Sequence, residues 1–163
     1  MNQPSSELIG ALRDSPLGAG LDAAELAILA GVVGLTAIRR GDVLAREGTT
    51  DHQLLAVVDG TLQVVKGLDG DTGEILSIVK PGHLTHELGF LDGSPRYASL
   101  VAAEDSRVLV LARAGLESLI ERAPRVLYRV MCAIVHSAHQ AQTRLAVQTS
   151  ELTNYIVKQH GRY

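Results

Sequence analysis

From Leu35 to Leu111 the chain reads as a series of short alternating segments punctuated by glycine, and this periodicity limits the fold more than any other feature. The segments are Thr36 to Arg39, Val43 to Arg46, Leu54 to Val58, Thr61 to Lys66, Glu74 to Val79, Ala98 to Ala102 and Arg107 to Leu111. Regular short strands with turn signals between them specify an antiparallel sandwich or barrel. Asp59-Gly60, set between AVV and TLQVV, is a hairpin signal, because both central residues of a type I′ turn need positive φ. Gly41, Gly48, Gly60, Gly67, Gly70 and Gly73 are expected at corners, where their role is geometric.

Helical patterns flank this series. Leu8, Ile9 and Leu12 put an apolar side on a short helix over Ser6 to Leu12, which Pro16 and Gly18-Ala19-Gly20 end. Asp22 with Glu25 ahead of Leu26, Ile28 and Leu29 is a capping-box start for a second helix. Beyond Leu111, Ala114 to Arg122 reads as a short helix stopped near Ala123-Pro124, and Pro124 suits the first turn of a last, long one. Leu127, Met131, Ile134, Ala138, Ala141, Leu145, Gln148, Leu152 and Tyr155 alternate spacings of four and three. Such a heptad seam specifies pairing with another helix, or else packing along the chain's own barrel. The class is therefore mainly β with flanking helices.

The 163 residues suffice for one domain with a core, and with no tryptophan and few aromatic residues that core must be aliphatic. A net charge of −3 with scattered basic residues gives no electrostatic footprint for nucleic acid. The single cysteine, Cys132, excludes an internal disulfide and a cysteine-rich metal cluster; it is expected to be buried and inert, and the compartment to be the reducing cytoplasm. The N-terminus lacks a signal-peptide pattern, and no apolar run approaches the roughly 20 residues of a membrane span. P-loop, nucleophile-elbow and metalloprotease patterns are lacking, so no enzyme activity is expected.

The stretch PGHLTHELGFLDGSPRYAS, from Pro81 to Ser99, carries the chemistry. Glu87 opens a run that can make a turn or two of helix before Asp92-Gly93-Ser94-Pro95 breaks it, and Arg96 follows the break. A helix start offers unpaired N–H groups, an arginine offers a bidentate fork for phosphate, and a carboxylate accepts from sugar hydroxyls. Together these make a phosphate-plus-ribose site; alternatively, Glu87 and Arg96 form a structural ion pair.

On these residues the stretch resembles the phosphate-binding cassette of the cyclic-nucleotide-binding domain family, F-G-E-L-A-L-L followed by P-R-A-A-T or R-S-A, here Thr85-His86-Glu87-Leu88-Gly89-Phe90-Leu91 and Ser94-Pro95-Arg96-Tyr97-Ala98-Ser99. VVDGTLQVV and Arg39-Arg40-Gly41-Asp42-Val43-Leu44 extend the likeness, which runs from about Leu21 to the C-terminus. The resemblance implies a β jelly-roll barrel over residues 35–114, an N-terminal helical segment over 1–34, and a short helix plus a long dimerisation helix over 115–163. It implies that Glu87 takes the ribose 2′-hydroxyl and Arg96 the cyclic phosphate, and that the amides of Gly89 and Phe90 approach the phosphate oxygens. Leu88, Tyr97 and Ala98 complete the cassette, and Gln142 and Thr143 on the long helix are placed to reach the purine. His86 stands where the family has glycine and Tyr97 where it has a small residue, a phenol that would either stack on the purine or fill the pocket.

The expectation is a dimeric regulatory module that binds a cyclic nucleotide, cAMP in preference to cGMP, without other cofactor, and signals through a protein partner. No helix-turn-helix pattern follows the long helix, so direct DNA binding is not expected. One alternative is a degenerate fold that has lost the ligand and serves in dimerisation or docking. Another is a haem or metal sensor using His83 and His86.

Overall fold

The structure, a computed structural model, describes residues 4–70 and 73–160; residues 1–3 of the polar leader and 161–163 at the C-terminus lie outside the described residues. Among the described residues eight strands form: β1 Val33–Ile38, β2 Val43–Ala45, β3 Gln53–Asp59, β4 Leu62–Lys66, β5 Glu74–Val79, β6 Leu84–Thr85, β7 Ser99–Ala102 and β8 Ser106–Ala112. They pair as two four-stranded antiparallel sheets, ordered β1-β8-β3-β6 and β2-β7-β4-β5, rather than as one closed barrel. Among the described residues six α-helices and a 3₁₀ turn at Pro16–Gly18 accompany them: α1 Ser6–Asp14, α2 Ala23–Ala30, α3 Glu87–Asp92, α4 Arg113–Glu117, α5 Leu119–Arg122 and α6 Pro124–His160.

Side-chain alternation builds two cores. Leu55, Val57 and Val108 face Leu62, Val79, Leu100 and Ala102 across the space between the sheets. The other faces of β3 and β8, carrying Leu54, Ala56, Leu109 and Leu111, meet Leu12, Leu26, Leu29, Phe90, Leu119, Val130 and Ile134 from the helices. Both faces of β3 and β8 are thus apolar, so these two segments, expected to alternate, are continuous hydrophobic runs instead. Local signals fix the helix starts. The Ser5 hydroxyl accepts from Leu8 N–H at 3.2 Å, while Asp22 and Glu25 close a reciprocal capping box at 2.9 and 3.1 Å.

Asp59-Gly60 does not make the expected type I′ hairpin. Only Gly60 has positive φ, at 84°, and β3 and β4 lie in different sheets. The chain crosses between sheets here, pressed so closely on β8 that a Cβ at position 60 would stand 2.2 Å from Ser106 Oγ. The same hydroxyl accepts from Thr61 N–H at 3.1 Å.

Helix α6 spans 37 residues, or about 55 Å at 1.5 Å per residue. Its first half turns Val126, Val130 and Ile134 into the helical core, with Leu127 and Met131 packed beside them. The heptad seam is therefore divided: Leu127, Met131 and Ile134 serve the chain's own core, whereas Leu145 and Leu152, each 64% exposed, remain on the surface. Cys132, expected to be buried, is exposed because it lies on the side of α6 opposite that core. Among the described residues no helix is long and apolar enough to cross a membrane.

Phe90, the only phenylalanine, is fully buried and anchors α3 to the helical core. Phe90→Ala should cost about 3–5 kcal/mol, read as a lowered urea midpoint; a loss below about 1 kcal/mol would show that α3 is not held through this ring.

Candidate functional site

Among the described residues Arg96 is the most deeply placed charged one, at 5% exposure. Its backbone is clamped by a turn on the far side of the sequence: Arg96 N–H donates to Thr49 C=O at 2.9 Å, and Gly48 N–H donates to Arg96 C=O at 2.7 Å. The guanidinium then meets Asp51, with Nε at 2.7 Å from Oδ2 and Nη2 at 3.0 Å from Oδ1, while Nη2 also donates to the Gln53 carbonyl at 3.1 Å. This bidentate pair compensates a charge that could not otherwise be buried. The Nη1 group has no acceptor among the described residues.

Burial works to raise the Asp51 pKa. The hydrogen bonds from Arg96 and from Gln53 N–H, with the charges of Arg96 and His86, outweigh it and hold the carboxyl below its ordinary value.

Glu87 does not pair with Arg96. It opens α3, half-buried, and its Oε1 accepts from Ser137 Oγ on α6 at 2.8 Å. The ion pair considered from sequence is thus replaced by two separate attachments, Arg96 to Asp51 and Glu87 to Ser137. His86 takes the left-handed conformation expected of the family's glycine, with φ 63° and ψ 34°. Its half-buried imidazole lies across Gly89, where an added Cβ would stand 2.1 Å from the ring Cε1. Burial and the Arg96 charge lower the His86 pKa, opposed by Asp51, the Ser94 backbone and Asp92.

The remaining candidates are spread more widely. Phe90 N–H is closed by His86 C=O at 2.9 Å, so of the two expected amide donors only that of Gly89 is unbonded among the described residues. Ala98 is buried and Leu88 exposed. Tyr97 neither fills the pocket nor packs in the cassette: it is 63% exposed, and its carbonyl accepts from Lys66 Nζ at 2.7 Å. Gln142 and Thr143 are exposed on α6, about 8 Å along the axis beyond Ser137; the Thr143 hydroxyl donates to His139 C=O at 3.0 Å.

His83 Nδ1 lies 3.2 Å from Lys80 O, and among the described residues no group of three or more His, Cys, Asp or Glu is placed to hold a metal. A cavity of about 540 Å³ is lined by Pro16, Gly82, His83, Cys132, His136 and Ser137, and Arg96 is not among its lining residues.

Asp51 and Ser137 had no local sequence signal, since each is 45 or more residues from its partner. Because the Asp51 pKa is lowered on folding, its contribution is complete above the unfolded value, near 3.9, and is lost as pH falls through the lower folded value. Asp51→Asn should cost about 3 kcal/mol at pH 7 and flatten the fall in stability between roughly pH 4 and 2, measured by urea titrations across pH; an unchanged acid limb would remove Asp51 from this role.

The chain is 26% identical over 140 residues to the cyclic AMP receptor protein of Thermus thermophilus, covering 86% of this chain and 65% of that protein, so it spans less than two thirds of this curated relative. The N-terminal domain of a transcriptional regulator from Streptomyces coelicolor superposes with a TM-score of 0.66 at 28% identity, covering 80% of this chain and 94% of the other. The regulatory domain of Toxoplasma gondii protein kinase A, solved with cAMP, gives 0.58 at 27% identity over 72% of this chain and 44% of the other. The cyclic nucleotide-binding domain model matches residues 35–123, more than half of the sequence, and the protein belongs to that family.

Proposed function

We propose that this protein is a regulatory module that captures a cyclic nucleotide, cAMP in preference to cGMP, without converting it. The observation that carries the reading is Arg96: buried, oriented by Asp51 and the Gln53 carbonyl, and with Nη1 uncommitted at the cassette. In this reading Nη1 and the Gly89 amide take the cyclic phosphate, and Glu87 exchanges its Ser137 partner for the ribose 2′-hydroxyl. Leu88, Phe90, Tyr97 and Ala98 frame the cassette, and Gln142 and Thr143 reach the purine only if α6 moves or a second copy supplies them. The two sheets are the halves of a flattened jelly roll over residues 35–114, between an N-terminal helical segment (1–34) and the helices of 115–163. Two copies pair through the exposed half of α6 and signal in the cytoplasm to a protein partner.

A second reading, a ligand-free docking module, is supported by the same residues. His86 covers Gly89, the Phe90 amide is closed, and Glu87 is already satisfied.

Thermal and chemical denaturation with each nucleotide separates the two. At a ligand concentration a hundred times the dissociation constant, stabilisation should reach about 2.7 kcal/mol, and Arg96→Lys, which keeps the charge but loses the fork, should weaken binding about 30-fold or more. No shift with either nucleotide favours the docking reading. For the dimer, Leu152→Glu should convert the protein to monomer in light scattering; a dimer that survives it is not built on this seam.

A further inference from the structure

Within the proposed nucleotide site, and resting on that reading, one residue departs from the family pattern in a way that changes the charge balance. Asp51 and Arg96 together are neutral, so the arrival of a cyclic phosphodiester leaves the cluster with one uncompensated negative charge, and Asp92 nearby adds another. The groups that face the His86 ring are Arg96 and Asp51 from the loops flanking α3 and β3, Asp92 at the end of α3, and the Ser94 backbone; Glu87, its neighbour in sequence, turns away to Ser137 on α6. Of these, only the imidazole is a base that changes charge near neutral pH.

Its position makes it the natural counter-charge. The left-handed backbone at His86 directs the ring across Gly89, whose amide is the unbonded donor of the cassette. An anion reaching that amide and Arg96 Nη1 must lie against the ring. In the protein the Arg96 charge disfavours imidazolium at this position. A phosphodiester placed between the two reverses the sign of that interaction.

We propose that His86 takes up a proton from solvent when a cyclic phosphate binds, so that nucleotide affinity rises as the medium acidifies. The phosphodiester stays singly charged across this range, so the proton belongs to the protein. Burial and the Arg96 charge hold the His86 pKa below its ordinary value, and a phosphate anion against the ring would raise it. Affinity therefore increases as pH falls through the bound-state value and levels off below the unliganded one.

The test is isothermal titration with cAMP and cGMP from pH 7.5 to 5.5, in two buffers of unlike ionisation enthalpy. The parent should bind about tenfold more tightly at the acid end and take up a fraction of a proton near pH 6.5. His86→Asn and His86→Gly, both of which accept the left-handed backbone, should bind with a flat profile and no proton uptake. Binding by the parent that does not vary with pH, or an equal slope in both variants, overturns the role of His86 alone. Failure to bind at any pH overturns the nucleotide reading and this inference with it.

Discussion

The buried pair between Arg96 and Asp51 is the constraint on which the cassette depends. A guanidinium at 5% exposure is tolerable only when its charge is met and its N–H groups are filled, and here one carboxylate and one carbonyl do most of this. The consequence is positional. Because Asp51 and Gln53 lie at the entry to β3 and the Arg96 backbone is held by Gly48 and Thr49 just before them, two segments distant in sequence are tied at one point. The side chain is oriented before any ligand arrives, so the ordering cost of a flexible arginine has already been met in folding.

The second dependency runs outward through α3. This helix is only six residues long and cannot hold itself by its own hydrogen bonds. It is fixed from below by Phe90, in the same core as Val130 and Ile134 of α6, and from the side by the Glu87–Ser137 hydrogen bond. Both attachments end on α6. Under the proposed function, a ribose hydroxyl competing for Glu87 would loosen one of them while leaving the other, which is the condition for a shift of α6 rather than a general loosening.

What could be read from the sequence follows the range of the interaction involved. The Asp22/Glu25 capping box, the Pro124 start and most strands were legible because each is decided within a few residues. His86 was legible as standing where the cassette has glycine, and it takes the left-handed conformation that glycine adopts most easily. Asp51 could not be found: Asp51-His52-Gln53 carries no local pattern, and its meaning comes from Arg96, 45 residues away. Asp59-Gly60 misled for the opposite reason. Its local chemistry suits a hairpin equally well, and only the crowding of Gly60 on Ser106 makes it a crossing between sheets. The two-residue β6 is too short to show any period.

The heptad seam of α6 shows how one sequence pattern can serve two surfaces. Ile134 is fully buried in the chain's own core, so the repeat up to that point is accounted for without a second helix. Beyond Ala141 the core no longer supports the helix, and local propensity is a poor substitute. Thr143, Thr149 and Thr153 each bond back to the carbonyl four residues earlier, a habit that weakens and bends helices. About twenty residues with such composition would fray in water, since isolated helices of that length are marginal even when rich in alanine. Under the proposed function, a partner helix of the same kind would cover Leu145 and Leu152, which lie in register on the surface of this half, and hold it to His160.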